Sequence, residues 1–128
     1  MNKKPILAPI SLGELVDKIT ILQIKSSQLT GTSAENVRNE LFALEKTLSS
    51  LELSIDTRLV QALKEVNHEL WKIEDAIREQ EKSKNFGEVF ISLARSVYQK
   101  NDRRAAIKKE INITYNSTLI EEKSYKTY

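Results

Sequence analysis

The chain contains no cysteine, three glycines, two prolines and one histidine in 128 residues. Without cysteine there are no disulfides, thiolate metal sites or cysteine nucleophiles, and the redox compartment stays open. So little glycine and proline leaves scant material for the tight turns that a many-stranded sheet requires. Long apolar runs are missing too. Residues 1–10 hold Lys3 and Lys4 and only a few apolar side chains, too short for a signal-peptide core and far short of a membrane span. The expectation is a cytoplasmic protein with no membrane partner. Excess charge of one sign is also lacking: 20 basic against 18 acidic residues give a net charge of +2 and an isoelectric point near 8.8. That bias is too weak to imply nucleic acid or a membrane surface. Asn112-Ile113-Thr114 and Asn116-Ser117-Thr118 match the glycosylation acceptor pattern, which has no consequence without a secretory signal.

What is present is helical. Hydrophobic residues make up 40% and charged residues 30%, and the length suits one core. The expectation is therefore a single helical domain over residues 1–128, with an extended arm at 1–10 and a tail at 113–128. Ser11-Leu12-Gly13-Glu14 is a capping box, with Ile10 and Leu15 at hydrophobic-staple positions. Leu12, Leu15, Val16, Ile19, Leu22 and Leu29 form one face of the first helix, Ile21 and Ile24 widen it, and Gly31 supplies the left-handed residue expected to end it. The β-branched run at 19–24 favours a strand by propensity, but the cap and the wide apolar arc outweigh it.

A second helix starts at Thr32 or Ser33, with Glu35 completing another box, and carries Val37, Leu41, Leu44, Leu48 and Leu51. A third begins near Asp56 and carries Leu59, Leu63, Val66, Leu70, Ile73 and Ile77 in the same four-three rhythm. Two such seams joined by Ser54-Ile55-Asp56 predict an antiparallel hairpin with coiled-coil-like packing. Asn85-Phe86-Gly87-Glu88 opens the last helix with a third box, and that helix runs to about Ile111. In the tail, Leu119, Ile120, Tyr125 and Tyr128 favour docking across the bundle. The fold class is all-α: an antiparallel bundle of four main helices, with the central hairpin packed on the first and last helices.

The last helix carries the feature nearest to function. Phe86, Phe90, Leu93 and Val97 define a buried face, and the same register continues through Asn101, Arg104 and Lys108. Charge on a core-facing surface must be paired or must serve a bound anion. In the first reading, Glu14 and Asp17 of helix one neutralise Arg95 or Arg104 in a structural network that includes Asp102. In the second, Lys18, Lys25, Arg95, Asn101, Arg104 and Lys108 wall a pocket for carboxylate or phosphate, work that suits arginine's planar fork.

Other constellations are weaker. Glu65-Val66-Asn67-His68 has the Glu-x-x-His spacing of di-iron bundles, but His68 is the only histidine and both residues point away from the seam, so no metal or cofactor is expected. The basic stretch Lys100, Arg103, Arg104, Lys108 and Lys109 is broken by Asp102 and Glu110 and belongs to no nucleic-acid-binding module. Trp71, flanking the Leu70/Ile73 seam, reads as packing.

The segments Ile10-Ser11-Leu12-Gly13-Glu14-Leu15-Val16-Asp17-Lys18-Ile19-Thr20-Ile21-Leu22, Leu70-Trp71-Lys72-Ile73-Glu74-Asp75, Leu93-Ala94-Arg95-Ser96-Val97-Tyr98 with Asn101-Asp102, and Glu121-Glu122-Lys123-Ser124-Tyr125 together resemble a family of small bacterial proteins of unknown function. The resemblance spans nearly the whole chain. It implies a self-standing bacterial domain, carries over no catalytic residue, and singles out Glu14, Asp17, Lys18, Arg95, Asn101 and Asp102.

No complete catalytic motif appears, so the preferred function is a non-catalytic helical module that binds a partner protein or a small anionic ligand. Wide apolar faces on helix one and near 86–97 favour a homodimer. The competing reading is a chorismate-mutase-like enzyme in which Arg95, Arg104, Lys108 and Lys18 clamp a dicarboxylate. Helix one is short for that fold and lacks an arginine near its start.

Overall fold

The computed structural model describes residues 4–128, arranged as four helices: α1 (Leu12–Gln28), α2 (Gly31–Ser50), α3 (Thr57–Lys82) and α4 (Glu88–Thr114). Among the described residues there is no strand, and the fold is the expected all-α bundle. Residues 1–3 of the expected arm lie outside the described residues; residues 4–10 form no helix or strand and are exposed.

Ser11 caps α1 as its spacing predicts, its hydroxyl oxygen accepting the Glu14 N–H at 3.1 Å. The apolar arc of α1 is wide because this helix has three neighbours, α2, α3 and α4. Leu12, Leu15, Val16, Ile19, Leu22 and Ile24 are all buried, and that burial overrides the strand propensity of the β-branched run. Beneath α1, Leu12 and Val16 join Leu63 and Val66 of α3 and Ile107 and Ile111 of α4 in the core.

Helix ends depart from expectation at the α1–α2 junction and at both ends of α4. Gly31 does take a left-handed φ of 65°, but it opens α2, and α1 already stops at Gln28. Thr30 stands at the α2 N-cap without a side-chain cap bond, because the link from α1 is too short to present Thr32 or Ser33. Gly87, not Asn85, is the N-cap of α4; the Asn85 side-chain oxygen instead accepts the Gly87 N–H at 3.4 Å in a local turn.

The expected coiled-coil-like hairpin of α2 and α3 is not formed. Among the helices α2 packs on α1 alone, whereas α3 packs on α1 and α4. A heptad-like seam requires that a stripe be buried but does not choose the neighbour. Here α1 offers apolar surface to both sides and separates the two seams. Only Ala34 and Val37 of α2 are fully buried, with Leu41, Leu44 and Leu48 partly so.

Helices α3 and α4 form the antiparallel pair, joined by Lys100–Glu69 at 2.8 Å and, at its base, by the Asp56 N–H donating to the Tyr115 hydroxyl at 2.6 Å. With 17 residues against 26 and 27, α1 covers the basal part of this pair and leaves the rest as an extension. On the extension Phe86, Val89 and Ile91 are 52%, 57% and 54% exposed.

The crossing of α1 and α4 is close at Gly13. Its N–H donates to the Asn112 side-chain oxygen at 2.6 Å, and a Cβ there would collide with the Lys108 backbone carbonyl. Asn112 is thus a buried part of α4 and not its end, and the helix runs on past Ile111 to Thr114. Asn116, at φ 53°, turns the chain, and Ser117 ties the turn to α1 by accepting the Leu12 N–H at 3.0 Å. The tail then runs back along α4, with Glu121 on Lys108 at 3.3 Å, Glu122 on Lys109 at 3.1 Å, and the Tyr128 ring edge-on to Tyr98 at 4.9 Å.

Candidate functional site

The polar register of α4 meets α1 and α3 around Asp17, whose side chain is 0% exposed. The Arg104 guanidinium grips this carboxylate with two nitrogens, Nε on Oδ1 at 2.9 Å and Nη2 on Oδ2. Asn67 of α3 donates its amide to Asp17 Oδ1 and to Thr20 Oγ1, each at 2.9 Å, and the Thr20 hydroxyl donates to the Asp17 carbonyl at 2.8 Å. One turn along α4, the buried Lys108 ammonium reaches Glu14 at 2.6 Å, Glu121 at 3.3 Å and Asp17 at 3.9 Å. Its hydrogen bonds to Asp17 hold the Arg104 guanidinium above its ordinary value, against the opposing effect of its burial.

This arrangement joins Arg104, Lys108, Glu14 and Asp17. It leaves Asp102 outside: that residue is exposed and accepts the Tyr128 hydroxyl. Of the six residues nominated for a ligand, Lys25, Asn101 and Arg104 border one groove of about 320 Å³, with Leu70, Trp71 and Val97 among its apolar walls. Asn101, Arg104 and Lys108 also border a second cavity of about 170 Å³, together with Lys123 and Tyr125 of the tail. Lys18 is exposed and borders neither space, and Arg95 is exposed beside Ser92 and Gln99 on a shallow surface of α4.

Asn101 and Arg104 thus stand at the junction of an apolar groove and a cationic cavity. Arg104 spends Nε and Nη2 on Asp17, and Nη1 has no hydrogen-bond partner among the described residues. A guanidinium immobilised by a buried carboxylate while keeping free N–H groups is a preorganised donor for a second oxyanion. The neighbouring Asn101 amide also has no hydrogen-bond partner among the described residues and can accept or donate.

Sequence reasoning passed over Asn67, Thr20, Gly13, Asn112 and Lys123. A signal existed for Asn67, which lies four residues after Leu63 and three before Leu70, a seam position in which a polar side chain demands a partner. The Glu-x-x-His spacing masks that signal, although Glu65 and His68 are both exposed. Among the described residues no group of three metal-ligating side chains converges, and no helix is long and apolar enough to cross a membrane.

A helical bundle with a buried ion-pair network and a cleft at its open end is the class of protein that these features define. The chain belongs to a family of unknown function (DUF6165), whose model matches residues 6–128. No curated protein and no solved structure matches it.

Proposed function

We propose that the protein is a non-catalytic helical module, working in the cytoplasm, that binds a small anionic ligand at Asn101 and Arg104. The observation that carries this reading is the Asp17–Arg104 pair, which fixes the guanidinium and leaves Nη1 without a hydrogen-bond partner among the described residues, in a residue that borders the groove with Lys25, Asn101, apolar walls and Glu74, the last paired with Arg78. Apolar walls with a few convergent polar groups suit a ligand with a hydrocarbon body and a carboxylate or phosphate. The clamp required by a chorismate-mutase-like enzyme has less support, since Arg95 and Lys18 stand apart from Arg104 and Lys108. Nor does the basic stretch favour nucleic acid, because Lys100, Arg104, Lys108 and Lys109 are each paired with a carboxylate.

The test is a thermal-shift and Trp71 fluorescence titration against mono- and dicarboxylates, nucleotides and sugar phosphates. Trp71 is the sole tryptophan and borders the groove. A hundredfold excess over the dissociation constant stabilises by about 2.7 kcal/mol, a shift of several degrees. Asn101→Ala, which leaves the Asp17 network intact, should abolish the response. No response across the panel, or an undiminished one in the variant, refutes the reading.

A second reading is a protein partner, a second copy included, seated on the α3–α4 extension. It is favoured by the exposure of Phe86, Val89 and Ile91 there. Sedimentation velocity at high concentration showing only monomer eliminates the homodimer.

A further inference from the structure

The 170 Å³ cavity has an unusual lining. Its six residues include three cations, Arg104, Lys108 and Lys123, with Asn101 and Tyr125 as neutral donors, and no carboxylate. The acidic partners of these cations lie outside the lining: Asp17 holds Arg104, Glu14 and Glu121 hold Lys108, and Glu121 holds Lys123 at 2.7 Å. The cations converge on a small space that their carboxylate partners do not line, but the three charges are matched by Asp17, Glu14 and Glu121, so what an anion would meet there is unpartnered donors rather than excess charge. The charge on Arg104 acts against that on Lys123, although Glu121 keeps the Lys123 ammonium above its ordinary value. The space has room for a carboxylate or phosphate group with part of a larger ligand, and the Asn101 amide, the Tyr125 hydroxyl and Arg104 Nη1 have no hydrogen-bond partner among the described residues.

Two of the lining residues belong to the tail. Along residues 120–128 no backbone group makes a hydrogen bond among the described residues, and this stretch is held by side chains alone: Glu121, Glu122 and Tyr128. A segment fastened in this way can lift and close, and a ligand that bonds to it must tighten it, because coupling between two binding events is reciprocal.

We propose that the C-terminal tail supplies the outer wall of the ligand site, with Lys123 and Tyr125 as ligand-facing residues that clamp a small oxyanion, carboxylate or phosphate, against Arg104 and Asn101. This rests on the reading that Asn101 and Arg104 bind an anion, and it adds the ligand's charged group and a closing strap. The site then selects ligands whose oxyanion lies at one end, facing the tail, and whose apolar body lies in the Trp71 groove.

The experiment is isothermal titration of the full chain with inorganic phosphate and, separately, with succinate at low ionic strength, repeated on Lys123→Met, Tyr125→Phe and Asn101→Ala. Tryptic cleavage after Lys126 serves as a second readout. Saturable binding of either anion, weakened at least tenfold by Lys123→Met and slowing cleavage after Lys126, is the expected result. Which of the two anions binds distinguishes a phosphate from a carboxylate ligand. Binding that Asn101→Ala weakens but Lys123→Met leaves unchanged overturns the role of the tail and leaves the Asn101–Arg104 site standing. No saturable binding of either anion overturns both.

Discussion

Asp17 is the residue on which the bundle closes, because a carboxylate with a fully buried side chain is tolerated only when every lone pair finds a donor. Arg104 and Asn67 supply those donors from two other helices. Arg104→Leu leaves Asp17 charged and half-satisfied, and should destabilise the fold by about 3 kcal/mol, read from the shift of a urea denaturation midpoint. An arginine serving a ligand alone would produce no loss in that measurement. Gly13→Ala acts by a different route. The added methyl group meets the Lys108 backbone carbonyl and, at 3.0 Å, the Asn112 side-chain oxygen. The helices must separate, at a cost of about 2 kcal/mol, and the crossing that sets Lys108 against Glu14 loosens. The same denaturation series measures it, and a midpoint at or above wild type would show that α1 and α4 have room to spare.

Among the elements, the tail is the one whose attachment can be titrated. The Glu121 carboxyl is held below its ordinary range first by its hydrogen bond to Lys123 and then by Lys108. The bond to Lys123 lies within the tail, so only the part of the lowering due to Lys108 on α4 favours docking; it is present above the unfolded value and lost as pH falls through the folded one. Tyr128 is shifted the opposite way, its hydroxyl raised above 10.0 by donation to Asp102. Its contribution is present below the unfolded value and lost as pH rises through the folded one. Tail docking should therefore be complete at neutral pH, weaken in acid through Glu121 and weaken in strong alkali through Tyr128. Added salt should release it at any pH, since these groups are exposed. Tryptic cleavage after Lys126 near neutrality, with and without salt, and the Tyr98 and Tyr128 ring resonances across the wider pH range, report it.

The elements also show how much could be read in advance. The cap at Ser11, the wide arc of α1 and the polar continuation of the α4 register were all legible, because each depends on residues within a few positions of one another. The partner of α2 was not. Val37, Leu41, Leu44 and Leu48 require a neighbour without naming it, and the choice between α1 and α3 depends on packing across the whole molecule. At the site, one reading pairs Glu14 and Asp17 with Arg95 or Arg104; Asp17 meets Arg104, Glu14 meets Lys108 instead, Arg95 joins neither, and Lys25 and Asn101 border the same groove as Arg104. Lys123 gave no periodic signal, since the tail has no regular element to place it.

At the scale of the molecule, stability is distributed unevenly. Residues near Val16, Leu63 and Ile111 sit where three helices converge and are almost fully buried. The turn from α3 to α4 has no third helix, and residues 81–89 are all exposed. Native-state hydrogen exchange should rank them accordingly, with amides around Leu63 and Ile111 exchanging only through global unfolding and those at 78–95 opening by fraying of the extension. Equal protection in both places would mean that the extension is covered in solution, as a partner on Phe86 and Ile91 would cover it.

The bond between Asp17 and Arg104 spans 87 positions of the chain, and that interval has a meaning for synthesis. A growing chain exposes α1 long before α4 has been made, and until then the Asp17 charge keeps that face of α1 hydrated. The Asp17–Arg104 pair can close only after residue 104 has been added, whereas α1 and α2, which pack on each other, are both made well before it.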